Sequence, residues 1–129
     1  MAIKKINVII PDGYKPLKKD VDAAWVLARH YQTIVNILKP INRYRVKTPD
    51  FLINGDYYEL KVLTSSQVRQ LLVLLDQAKK QADNIVIDIR KTKITEARVI
   101  EVCSEFMRKH KKHRVFLIIT ADKVLIVQI

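Results

Sequence analysis

The chain has 129 residues, 49% of them hydrophobic, which is enough for one domain with a real core and too few for two. Its 24 Lys and Arg against 13 Asp and Glu leave a formal charge of +11, divided almost evenly between the two halves. The domain itself, rather than a tail, therefore calls for a polyanionic partner, with nucleic acid first and an acidic protein second.

Other classes are excluded by what is missing. Two glycines and four prolines do not make a low-complexity chain. No apolar run is long enough to span a bilayer, and no stretch joins a basic face to aromatic anchors as a membrane-surface helix does. The start, Met1-Ala2-Ile3-Lys4-Lys5, lacks a signal-peptide core. The single cysteine, Cys103, rules out an internal disulfide and a cysteine-built zinc site, and its place in an apolar helical pattern reads as buried and inert.

In chain order, Ile6–Ile10 reads as a short strand closed by Pro11-Asp12-Gly13. A helix is expected over 17–31, with Ala24, Leu27, Ala28 and Tyr31 on one stripe. Asp20 shares that stripe, so it is either a helix-start acid or a metal ligand. Asp22, about 200° further round, should face solvent. Trp25 reads as core, and His30 as structural. Residues 33–38 are a β-branched strand stopped at Pro40, and 41–49 a basic loop in which Arg43, Arg45 and Lys47 alternate as phosphate contacts.

Asn54-Gly55 is a strong signal for a two-residue hairpin turn, because type I′ needs positive φ at both positions. That register pairs Ile53 with Asp56, Phe51 with Tyr58 and Asp50 with Glu59. Phe51, Ile53, Tyr58 and Leu60 then form an apolar face that pins the hairpin to a core. Asp50, Glu59 and Lys61 share the other face. Like charges set opposite one another destabilise a sheet unless something offsets them. A divalent cation does so, and carboxylates with open water positions suit Mg2+ or Mn2+. Two acids and a lysine around such an ion form a centre for phosphodiester hydrolysis, with Lys61 either orienting or deprotonating the water or neutralising the phosphate.

After the hairpin, Thr64-Ser65-Ser66 reads as the N-cap cluster of a leucine-rich, well-buried helix over 66–81, whose free N–H groups are candidate phosphate contacts. Residues 84–89 alternate as a strand, with Ile85, Ile87 and Ile89 on one face and Val86 on the other. A helix follows over 95–109, with Ala97, Ile100, Cys103 or Ser104, and Met107 near one stripe. Arg108-Lys109-His110-Lys111-Lys112-His113-Arg114 reads equally as a solvated helix end and as a basic patch. Strands at 115–119 and 124–129 flank a turn at 121–123. The order β-α-β-β-β-α-β-α-β-β implies an α/β sandwich with a mixed central sheet flanked by helices, in a single domain.

Pro49-Asp50 followed by Glu59-Leu60-Lys61 resembles the PD-(D/E)XK nuclease superfamily, whose signature is an acid after proline and an acid-x-lysine on the next strand. The wider run from Lys47 to Gly55, then Tyr58–Lys61 and Gln81–Asp88, is similar to the C-terminal nuclease domains of CdiA-type contact-dependent growth-inhibition toxins over about residues 17–129. The resemblance implies a restriction-endonuclease-like core, metal-dependent cleavage of tRNA or, in some relatives, DNA, cytoplasmic action after delivery by a larger toxin, and a dedicated immunity protein. It also implies that an acid on the first helix, often Glu, joins the site, where this chain has the shorter Asp20. The start at Met1, with no delivery region, reads as an excised domain or a free-standing relative. Two competing readings stand beside it: a non-catalytic nucleic-acid-binding module, and an assembly protein of a mobile element.

Overall fold

A computed structural model of the chain describes residues 5–41, 47–111 and 115–128. Ten elements run in the expected order: β1 (Asn7–Ile9), α1 (Lys18–Tyr31), β2 (Ile34–Ile37), β3 (Phe51–Ile53), β4 (Asp56–Val62), α2 (Val68–Ala78), β5 (Asn84–Asp88), α3 (Glu96–Lys109), β6 (Phe116–Ile119) and β7 (Val124–Val127). The strands form one mixed sheet in sequence order. β1 and β2 are parallel, β2-β3-β4 antiparallel, β4-β5-β6 parallel, and β7 closes the edge antiparallel to β6.

Helices cover both faces of the sheet, so β5 has no solvent-facing side, even though Asn84 and Asp88 share its Val86 face. Every residue of β5 is buried, with Ile85 and Ile87 packed among α2 and α3, and Val86 in the cluster that contains α1. The α1 stripe is as expected, with Ala24, Leu27 and Ala28 buried and Ala23 added to them. Asp22 is exposed. Gln32, in left-handed conformation at φ 50°, ends the helix by donating to the Ala28 carbonyl. Trp25 departs from its core reading: it is only half-buried on the outer side of α1, with the Arg29 guanidinium 5.3 Å from its ring centre.

Three further expectations need correction. The leucine run of α2 is amphipathic rather than buried all round. Leu71, Leu75 and Ala78 face the core, while Leu72 and Val73 are exposed, because one helix can bury only the stripe that meets the sheet. The α3 stripe is Val99, Val102, Cys103, Phe106 and Met107, which leaves Ala97 outside. Finally, α2 starts at Val68 with Gln67 at its N-cap and no side-chain cap bond, so Thr64-Ser65-Ser66 do not cap it. Ser65 is spent locally: its Oγ accepts from Gln67 N at 3.1 Å and its carbonyl accepts from Thr92 Oγ1 at 2.6 Å. Thr95 does cap α3, accepting from Arg98 N at 3.2 Å.

Candidate active site

The hairpin turn forms as its sequence demands, with Asn54 at φ 49° and Gly55 at φ 85°. The ladder pairs Ile53 with Asp56, Leu52 with Tyr57 and Phe51 with Tyr58. Phe51, Ile53 and Leu60 are buried on the α1 side, and Tyr58 packs against them. Glu59 and Lys61 lie in register with Ile85 and Ile87 of β5, on the face that α2 and α3 cover. Glu59 is consequently only 3% exposed.

The two acids meet by a route that differs from simple cross-strand pairing. The regular ladder stops at Phe51, and Asp50 stands just beyond it. Its N–H donates to the Tyr58 carbonyl at 3.0 Å, while its own carbonyl turns towards β2 and accepts from Leu38 N at 3.0 Å. The carboxylate takes the acceptor position facing β4, receiving Leu60 N on Oδ2 at 2.8 Å. A side chain thus substitutes for a main-chain acceptor where the strands part, and this fixes the Asp50 carboxylate beside Glu59.

The electrostatics follow from that contact. Burial, then the charge of Asp50 and a hydrogen bond shared with it, push the Glu59 carboxyl up to about 8, and Lys61 opposes the rise. Lys61 Nζ stands 3.4 Å from Glu59 Oε2. Glu59 Oε1 is buried and, among the described residues, has no hydrogen-bond partner. A buried carboxylate oxygen left unpartnered and pressed by a second carboxylate is a poor structural choice and a good cation ligand. The donor set of Asp50 and Glu59 therefore fits a hard divalent ion.

Asp20 sits in the first turn of α1, buried, with Lys19 Nζ 3.4 Å away. Burial raises its carboxyl, Lys19 opposes the shift, and Asp50 is near enough to add to it. It approaches the pair without completing a triad: among the described residues no group of three or more His, Cys, Asp or Glu side chains is arranged to hold a metal ion. Tyr14 has no sequence signal that ties it to these acids. The turn at Pro11–Tyr14, closed by Tyr14 N on the Pro11 carbonyl at 3.2 Å, brings it near both Asp20 and Asp50, and after burial their charges hold its hydroxyl above the ordinary tyrosine range.

A family model for the contact-dependent growth inhibition CdiA C-terminal domain matches residues 47–124. The chain belongs to that family. The CdiA C-terminal domain is a toxin effector of contact-dependent growth inhibition, and the matched span holds Asp50, Glu59 and Lys61 but neither Asp20 nor Tyr14. Among solved structures, a CdiA-CT/CdiI toxin and immunity complex from Burkholderia pseudomallei is similar with a TM-score of 0.70 and 15% identity, over 95% of this chain and 99% of the other. That likeness supports the fold, an α/β arrangement with a mixed seven-stranded sheet. No curated protein matches the sequence.

The remaining expected contacts of this CdiA C-terminal domain are distributed as follows. Lys47 is exposed ahead of Asp50, whereas Arg43 and Arg45 lie outside the described residues, as do the last three residues of the 108–114 basic run. Thr64 and Ser66 are exposed just past β4. His30 is exposed, its ring edge-on to Tyr31 at 4.7 Å. Cys103 is buried, which pushes its thiol up to about 12 and makes it unreactive. Among the described residues no helix is long and apolar enough to cross a membrane.

Proposed function

We propose that this domain is a metal-dependent endonuclease of PD-(D/E)XK type that hydrolyses phosphodiester bonds in RNA, tRNA first among them. The observation that carries the reading is the buried Glu59 carboxylate set against that of the half-buried Asp50, with Lys61 alongside. Asp50 and Glu59 would hold Mg2+ or Mn2+, and Asp20 would contribute through its charge. When bound, the ion supplies a polarised water and neutralises the phosphate. Lys61, anchored on Glu59, offsets the negative charge that builds on the phosphoryl oxygens in the transition state. Lys47, Arg43 and Arg45, with the exposed Thr64 and Ser66, hold the flanking backbone, and the charge of +11 brings the polyanion in.

The same charge supports an acidic immunity protein as the second partner, in line with the immunity complex of the similar structure. Membership of a C-terminal domain family supports delivery by a larger toxin, and the proposed site of action on RNA is the cytoplasm of the cell it enters. The test is incubation of the protein with total RNA and with plasmid, in Mg2+, Mn2+ and EDTA. RNA cleavage that disappears in EDTA and in Lys61→Ala is the expected result. Cleavage of plasmid alone would move the substrate to DNA. Tight binding without cleavage under either metal would leave a binding module.

A further inference from the structure

A cavity of about 370 Å³ is bounded by Pro49, Tyr57 and the end of α2 with Lys79, Lys80, Gln81 and Asn84, and neither Asp50 nor Glu59 lines it. Pro49 directly precedes Asp50. Tyr57 and Glu59 are two residues apart on one strand, so their side chains leave the same face about 6–7 Å apart. Tyr57 is 52% exposed, a large ring left open beside a buried site. Its position is fixed from beneath: the buried Asn84 donates from Nδ2 to the Tyr57 carbonyl at 3.2 Å.

The two lysines are not equivalent. Lys79 is held by Asp76 at 3.1 Å and lies 5.9 Å from the Phe106 ring centre. Lys80 is exposed and, among the described residues, has no carboxylate partner. Asp56 and Asp83 also line the cavity and add acceptor oxygens. A bare phosphate would be poorly served by a carboxylate, and an apolar ligand by lysine. A nucleotide has use for all three: a ring face for Tyr57, a phosphate for Lys80, and base amino groups for Asp56 and the Gln81 amide.

We infer that this cavity holds a nucleotide of a single-stranded RNA segment adjoining the scissile phosphate, its base stacked on Tyr57 and its phosphate on Lys80. The inference rests on the nuclease reading for the identity of the strand. Its test is anisotropy of a labelled single-stranded oligoribonucleotide in EDTA, with Lys61→Ala as the parent protein so that no cleavage interferes. Adding Tyr57→Ala should weaken binding about 5- to 150-fold, the range for loss of one stacked base, and Tyr57→Phe should retain it. Adding Lys80→Ala should reduce the salt slope of binding by about 0.7.

Affinity of the Tyr57→Ala protein within twofold of its parent, at unchanged melting temperature, would overturn the inference. An unaltered salt slope in Lys80→Ala would do the same, and that exposed substitution does not depend on how Tyr57→Ala folds. The two readings fail separately. Native protein that binds through Tyr57 and Lys80 yet never cuts RNA loses the nuclease and keeps the cavity. Native protein that cuts RNA with a KM indifferent to both substitutions keeps the nuclease and loses the cavity.

Discussion

Two buried acids stand on neighbouring strands of this sheet, and their surroundings are opposite. Asp88, 5% exposed at the end of β5, is fully matched: Arg90 donates from Nε at 3.0 Å, from a terminal guanidinium nitrogen at 2.7 Å and from its backbone N–H at 3.1 Å. Glu59, equally buried, has one lysine at 3.4 Å, a second carboxylate against it and an oxygen with no partner. The first arrangement closes a local structure. The second leaves valence and charge unspent, as a ligand site must. Burial alone does not separate function from architecture, but the state of the partners does.

Four measurements distinguish Glu59 from Asp88. The largest effect is expected on cleavage: Glu59→Gln keeps the shape and removes the charge, and should lower kcat at least about 10³-fold while the fold persists, read by RNA cleavage beside circular dichroism. Arg90→Ala should do the reverse. Asp88 would be left buried and unpaired, costing about 3 kcal/mol in denaturant unfolding, with cleavage per folded molecule unchanged.

Next comes pH. The Glu59 carboxyl is raised from 4.5 to about 8 on folding, so the folded state holds this proton more tightly than the unfolded chain. The stability it lends is fully present below about pH 4.5 and is lost as pH rises towards 8. In EDTA, Glu59→Gln should therefore melt like the parent near pH 4.5 and be more stable above pH 8, by roughly 2–4 kcal/mol. If both proteins showed the same profile, the coupling of Glu59 to Asp50 would be refuted. The smallest effect is on ion binding. Because Glu59 must release its proton to bind a cation, apparent Mn2+ affinity by calorimetry should climb by up to tenfold per pH unit below about 8 and level off above it.

The sequence made most of this legible where local rules act alone. The element order, the Asn54-Gly55 turn and the alternation of Ile85, Val86 and Ile87 depend on backbone preference and on a two-residue period, and all three hold. The acid pair was legible only in part: the tight turn brings Asp50 and Glu59 to the same end of the hairpin, but their contact depends on the Asp50 carboxylate accepting from Leu60 N beyond the last ladder pair, which no register rule foresees. The reading of Thr64-Ser65-Ser66 failed because capping was inferred from residue type, while Ser65 is drawn to Thr92 by a contact 27 residues away along the chain. Tyr14 was invisible: it reaches Asp20 and Asp50 through loop geometry that has no periodicity. The half-buried setting of Trp25 and the outward Leu72 and Val73 depend on which stripe tertiary packing selects.

The double duty of Asp50 limits how this toxin can be inactivated. Its carboxylate is both a proposed ligand and the acceptor that holds Leu60 N where the strands part, so replacing it disturbs the scaffold together with the chemistry. Among the described residues, Glu59 and Lys61 show no such side-chain tie to a main-chain N–H. A harmless version suited to trapping an immunity protein or an RNA is therefore best sought at those two residues, while loss-of-toxicity variants at Asp50 should also be short-lived proteins.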